Sequence, residues 1–250
     1  METTRGLSQR DPSRQREAEI VHLLEESRKS LTKGGSVLIP VFALGRMQEM
    51  LVVIDEAIKR GAIPKVPIFC SGLGMDLVNH FHQISKNTTR VRFNRKVLRS
   101  LGAQPLPRNI EPGQAPPMQG IYLVSSGMLV EHTPSYVMAS SILGDERNCI
   151  LFVGYCDPST PGGKLLANQE DSSFEFEAYN HIEEIKARIR QFDLSGHADR
   201  DQLLAYAEKL SPKTIFLTHG DPDARQWFME SLKENGAKII NPEPLTFYET

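Results

Sequence analysis

Apolar residues fall along this chain in short unbroken runs, and between the runs they recur at helical spacing. SVLIPVF (36–42), VPIFC (66–70), GIYLVSS (120–126), NCILFVGY (148–155), EIKARIRQFDLS (184–195) and KTIFLTHG (213–220) read as strands. In the fifth, Ile185, Ala187 and Ile189 share one face. A helix is expected over 12–31, with Asp11 as cap, Pro12 at its first position, and Ile20, Val21, Leu23, Leu24 and Leu31 forming the apolar side. Gly34-Gly35 ends it. Leu44, Met47, Leu51, Ile54 and Ile58 define the next helix, closed by Gly61. Further helices are expected at about 75–85, 133–143, 200–210 and 223–235. Strands alternating with helices predict an α/β fold with a parallel sheet.

The segment 100–120, SLGAQPLPRNIEPGQAPPMQG, holds five prolines and cannot continue a helix or a central strand. It reads as a boundary or a crossover, and the expected division is 1–115 and 116–250. Composition adds little. The chain has 250 residues, 40% hydrophobic and 24% charged, with a net charge of -2, which is ordinary globular composition. No global basic field advertises nucleic acid, so any such binding rests on local patches. No apolar run is long enough to span a bilayer and residues 1–30 hold no signal sequence, so the expected location is cytoplasmic, without a membrane partner. Cys70, Cys149 and Cys156 have no C-x-x-C spacing and suit neither a disulfide framework nor a zinc site. Cys70 and Cys149 read as buried, and Cys156, in a loop, as more accessible.

The chemistry concentrates in FDLSGHADRDQLLAYAEKL and KTIFLTHGDPDARQWFMESL. Each has an apolar strand, then a histidine (His197, His219), then a capped helix. Asp199 with Gln202 makes a capping-box pattern, and Asp221-Pro222 supplies a cap and a first-turn proline. Ligands sit at the ends of parallel strands. Histidines there suit proton transfer or metal binding, and equally a hydrogen-bonded structural role.

D-L-S-G-H-A-D and F-L-T-H-G-D-P also resemble motifs B and C of the β-CASP branch of the metallo-β-lactamase superfamily, the zinc nucleases of RNA processing. GGSVLIPVFALGRMQEML resembles the strand–helix signature of the inserted β-CASP domain. SSGML (125–129) and LFVGYCDPSTPGGKLL (151–166) resemble the segments returning to the lactamase fold, and ETTRG (2–6) resembles motif A. The resemblance implies an α/β fold: part of an αββα metallo-β-lactamase fold plus most of an inserted parallel-sheet β-CASP domain. It implies His219 as a ligand to one of two zinc ions, His197 as proton donor to the leaving oxygen, and Glu2 as the carboxylate that orients His197. A histidine in motif C points to RNA rather than DNA. Arg5 stands where tyrosine is common, and VEHTPS follows SSGML where many members have a glycine pair.

The family's H-x-H-x-D-H metal motif has no counterpart here. His80-Phe-His82 continues differently and falls in an expected helix, where i and i+2 face apart. His22 and His181 read as surface residues, and His132 either as a surface residue or as facing the cleft. METTRG therefore reads as an interior segment rather than a native start. The chain is expected to be a C-terminal portion that by itself holds no stoichiometric zinc and has no nuclease activity. Metal analysis showing two zinc ions would overturn that.

For RNA, KNTTRVRFNRKVLR (86–99) carries six positive charges and no acid, suiting a phosphate backbone or a solvated basic face. Ser125, Ser126 and Gly127 form a small-residue turn able to offer backbone N–H groups to a phosphate, or one that only packs. Arg46 opens a helix where an anion could sit. The expected function is the C-terminal part of a zinc-dependent ribonuclease. A non-catalytic scaffold or RNA-binding subunit, or a DNA-directed nuclease, are the alternatives. RNA is the expected partner, with homodimerisation left open.

Overall fold

The structure, a computed structural model, describes residues 1–8, 16–88, 93–107 and 109–248. Two compact units emerge. Arg16–Leu194 forms one, and Met1–Gln15 with Ser195–Thr250 forms the other.

In the larger unit, α1 (Arg16–Thr32) leads into β1 (Val37–Pro40), α2 (Arg46–Lys59), β2 (Ile68–Cys70) and α3 (Gly72–Lys86). Then come α4 (Lys96–Leu101), β3 (Gln104–Pro105), β4 (Ile121–Val124), α5 (Pro134–Ile142), β5 (Cys149–Phe152) and α6 (Pro161–Ala167). β6 (Ser173–Phe176) and β7 (His181–Glu184) pair antiparallel with each other, and β8 (Arg188–Gln191) closes the unit. Among the described residues the main sheet runs β3-β2-β4-β1-β5-β8, and every pairing in it is parallel.

A sheet of this kind is buried on both faces, which explains the unbroken apolar runs. Alternation along each strand divides them into two cores. Val37, Ile39, Ile121, Leu123, Cys149 and Leu151 point to one side with α1 and α2. Leu38, Tyr122, Val124, Ile150 and Phe152 point to the other, with α5. Each such side chain, removed from water, contributes about 1.5–3 kcal/mol. Phe69 stacks on Tyr122 with ring centroids 4.9 Å apart, tying β2 to β4 in the second core.

The proline-rich stretch is a crossover. It joins β3 to β4, so a division at 115/116 falls between two strands of one sheet. Asp11 and Pro12 lie outside the described residues, and α1 is described from Arg16. Its buried side differs from the expected one. Val21 is exposed, whereas Glu19, Ser27 and Ser30 are buried with Leu23 and Leu31. They are tolerated because they are bonded: Ser27 donates to the Leu23 carbonyl at 2.8 Å, and Glu19 accepts the Asp193 N–H at 2.8 Å. Leu44 precedes α2 and is exposed. β3, α4, α6, β6 and β7 are too short or too polar for their periodicity to be read.

Cys70 and Cys149 are buried as expected, but so is Cys156, its Sγ 3.7 Å from Thr160 Oγ1. Burial pushes the Cys70 and Cys149 thiols from 9.0 up to about 12. A folded pKa above the unfolded one means stability that is complete below pH 9 and lost as pH rises toward 12. At pH 8 these two thiols should react with a disulfide reagent about 1,000-fold more slowly in the native chain than in urea. A stopped-flow thiol titration checks this; fast native labelling of either residue would refute it.

In the smaller unit, α7 (Arg200–Leu210) is followed by β9 (Thr214–Phe216), α8 (Pro222–Ser231) and β10 (Lys238–Ile240). β10 pairs parallel with β9. Leu203, Ala207, Ile215, Leu217, Phe228 and Leu232 form its core. Among the described residues no helix is long and apolar enough to cross a membrane.

Candidate active site

In the smaller unit the site starts at the N-terminus. The Met1 amine donates to the Phe216 carbonyl at 2.5 Å, the Thr218 N–H donates to the Met1 carbonyl at 2.8 Å, and Glu2 bridges Thr218 in parallel register. Residues 1–2 thus lie along β9 like a further strand. This sets Glu2 against His197, with Oε1 3.5 Å from Nδ1. Glu2 Oε2 accepts the Thr4 N–H at 2.9 Å. The carboxylate is therefore bonded on one side and faces imidazole on the other.

Burial raises the Glu2 carboxyl, but hydrogen bonds from Thr4 and the charge and hydrogen bond of His197 outweigh it and hold the group below its ordinary 4.5. A depressed folded value means that this contact's contribution is complete above pH 4.5 and lost as pH falls through the folded pKa. NMR titration of the Glu2 side chain should give a midpoint below 4.5, moving upward in His197→Ala. An unmoved midpoint would break the link between the two groups.

His197 is half exposed, and its backbone N–H donates to Ser195 Oγ at 3.1 Å. β8 ends at Gln191, so His197 does not sit directly at a strand end as the sequence pattern suggests. The chain between them is an irregular connection.

Asp199 caps α7 and is buried, and the expected box forms: Gln202 N–H donates to Asp199 Oδ1 at 2.9 Å, and Asp199 N–H donates to Gln202 Oε1 at 3.2 Å. Asp221 sits at the cap position of α8 without a capping bond from its side chain, and Pro222 takes the first turn.

His219 follows β9 on a turn with φ 58°, a left-handed backbone rare for a side-chain-bearing residue. Thr3 holds it there, its Oγ1 donating to the His219 carbonyl at 2.6 Å. Gly220 (φ 71°) fits against the same threonine, where an added Cβ would lie 2.6 Å from the Thr3 carbonyl. Gly6 meets the Ala224 carbonyl in the same way. Beyond its place in ETTRG, Thr3 carries no signal of this role in the sequence, because the role exists only once residues 1–6 lie beside the 216–220 turn.

Among the described residues no three histidines, cysteines or carboxylates are grouped to hold a metal. A single imidazole at His219 does not by itself make a zinc site. His80 and His82 lie in α3, one exposed and one half-buried. His22 is exposed in α1, and His181, half-buried in β7, contacts Glu183 at 3.0 Å.

The larger unit has a switch in its strand connections. From β1 the chain crosses through α2 to β2, and from β4 it crosses through α5 to β5, on the opposite side. β1 and β4 are neighbours, so the space beyond their carboxyl ends is a topological switch point, where α/β sheets bind ligands. Ser125, Ser126 and Gly127 follow β4 there, and Phe42 and Arg46 follow β1. Ser125 N–H donates to Ser71 Oγ at 3.2 Å, and Ser126 Oγ accepts the Val130 N–H at 2.9 Å. Gly127 passes so close to Phe42 that a Cβ would lie 3.1 Å from its ring. Arg46 is mostly buried and donates to Glu49 at 2.5 Å, while Glu49 also pairs with Arg16. Burial and the neighbouring Arg16 charge lower its pKa, with Asp193 opposing them.

Of the basic segment, residues 89–92 lie outside the described residues. Phe93 packs edge-on against Phe81 with centroids 6.0 Å apart, so its ring serves the core rather than a base.

Comparison with known proteins bears on the family of the chain. The Beta-Casp domain model matches residues 47–165, and the model described as Zn-dependent metallo-hydrolase RNA specificity domain matches residues 182–242. The chain belongs to the β-CASP branch of the metallo-β-lactamase superfamily. It is similar to the Integrator complex subunit 11 homolog of Dictyostelium discoideum, at 28% identity over 96% of this chain and 33% of that protein. It is similar to transcription termination factor FttA of Methanothermobacter thermautotrophicus, at 32% identity over 84% of this chain and 34% of the factor. An RNase J-like protein of Methanocaldococcus jannaschii is 28% identical over 80% of this chain and 46% of its own length. The chain thus spans a third to just under half of the curated relatives it matches.

Proposed function

We propose that this chain is the C-terminal part of a zinc-dependent ribonuclease that hydrolyses RNA phosphodiester bonds in RNA processing or decay. The observation that carries the reading is the Glu2–His197 contact, 3.5 Å between carboxylate oxygen and Nδ1. A carboxylate on Nδ1 keeps that nitrogen protonated and leaves Nε2 free to carry a proton to a leaving oxygen. A scaffold has no use for such a pair. The names of the relatives, an RNase J-like protein among them, support RNA as the substrate class. His219 is the one zinc ligand assigned to this chain, and the two ions of the complete enzyme would draw their other ligands from elsewhere.

In this reading the Ser125–Gly127 turn faces the RNA phosphates at the switch point, and Arg46, mostly buried and paired with Glu49, opens the helix that follows the neighbouring strand. The test is cleavage of single-stranded RNA and of DNA by the full-length protein, beside its His197→Ala variant. RNA cleavage lost in the variant supports the reading. RNA binding without any cleavage in the unaltered protein would favour the scaffold instead.

A further inference from the structure

Beyond the carboxyl ends of β2 and β3 lies a second cavity of about 460 Å³, a volume within the roughly 300–1,000 Å³ of small-molecule sites. Its walls are of two kinds. Leu106, Ile110 and Val137 supply apolar surface, and His132, Tyr179 and Ser71 supply polar groups. Among the described lining residues there is no carboxylate.

His132 shapes one wall. Its backbone is left-handed at φ 59°, at the place where the resembling family commonly has a glycine pair. The turn around it is fixed, with the Thr133 N–H and hydroxyl both donating to the Val130 carbonyl, at 3.2 and 2.5 Å. The imidazole meets the Tyr179 ring edge-on, centroids 6.1 Å apart, and Tyr179 in turn leans on Tyr136 at 5.1 Å. Burial raises the Tyr179 hydroxyl above its ordinary 10.0, so it stays a neutral donor at physiological pH. Two rings, an apolar wall and no carboxylate among the described lining residues suit a flat, partly polar ligand attached to phosphate.

The cavity also adjoins the switch point already described. Ser71 lines it, and the Ser71 hydroxyl lies 3.1 Å from that of Ser125. We propose that the cavity walled by His132 and Tyr179 binds one unpaired nucleobase of the RNA strand, beside the nucleotide at the Ser125–Gly127 turn. Single-stranded RNA is recognised by stacking splayed bases on rings of this kind. The inference rests on the RNA reading for its ligand, but on different residues.

The test is titration of the 250-residue chain with AMP, UMP and inorganic phosphate by calorimetry, with two variants. His132→Gly removes the ring and relieves the left-handed backbone, so its melting temperature should hold or rise. Val137→Phe fills the cavity from α5. Both should weaken mononucleotide binding by about 5- to 100-fold, the range for loss of one stacked base. Unchanged affinity in both variants, or no mononucleotide binding at all, overturns the subsite. So does inorganic phosphate binding as tightly as the nucleotides, since that leaves the rings without a role. RNA cleavage that depends on His197 but ignores both variants overturns the subsite alone. Nucleotide binding here in a full-length protein that cleaves no RNA overturns the ribonuclease reading alone.

Discussion

His197→Ala in the full-length protein is expected to lower kcat for RNA hydrolysis by about 10²- to 10⁴-fold, the usual contribution of a positioned general acid. KM should move only slightly, because the proton is transferred in the transition state and not on binding. Glu2→Gln should cost less, on the order of 10- to 100-fold, since the amide oxygen still reaches Nδ1 and orients the ring but no longer sets a full negative charge beside it. The double variant should be little worse than His197→Ala alone, because Glu2 acts through the histidine. Measured kcat values for the two singles and the double decide this. Full additivity would mean that Glu2 works independently, and an unchanged kcat in His197→Ala would remove the proton-donor role.

Gly220→Ala is expected to destabilise the smaller unit by about 2–4 kcal/mol, because two costs coincide. The backbone at φ 71° is left-handed, and the new Cβ would lie 2.6 Å from the Thr3 carbonyl, which cannot swing aside as a flexible side chain would. Gly236→Ala provides the comparison. Its φ of 80° is equally left-handed, but nothing lies within 4 Å, so only the local cost of about 1 kcal/mol applies. Trp227 is the chain's one tryptophan and lies in this unit, against Phe228 and under Arg200 at 4.7 Å. Urea melts followed by its fluorescence therefore report on both variants. Equal losses would show that the packing of Thr3 against the 218–220 turn contributes nothing.

The parallel sheet was legible in the sequence because strands buried on both faces must be apolar throughout. SVLIPVF, GIYLVSS and NCILFVGY could hardly be anything else, and they became β1, β4 and β5. α2 was legible from Met47, Leu51 and Ile54, which are buried. The contact between Glu2 and His197 was legible only through motif resemblance, since nothing in the local pattern links residue 2 to residue 197. The buried side of α1 was not legible at Val21, because Glu19, Ser27 and Ser30 are buried only where hydrogen-bond partners satisfy them, and Asp193 and Arg188 come from distant segments.

By itself, then, the sequence determined the kind and order of the longer elements and the family, all of which depend on local periodicity and short motifs. Tertiary structure alone decided the strand order, and with it the switch point between β1 and β4. It also decided that Thr3 would hold the His219 turn, and that His132 and Tyr179, far apart in the chain, would wall one cavity. The physical reason is common to all three. Each depends on contacts between residues distant in the chain, and neither hydrophobic periodicity nor turn chemistry carries information over that range.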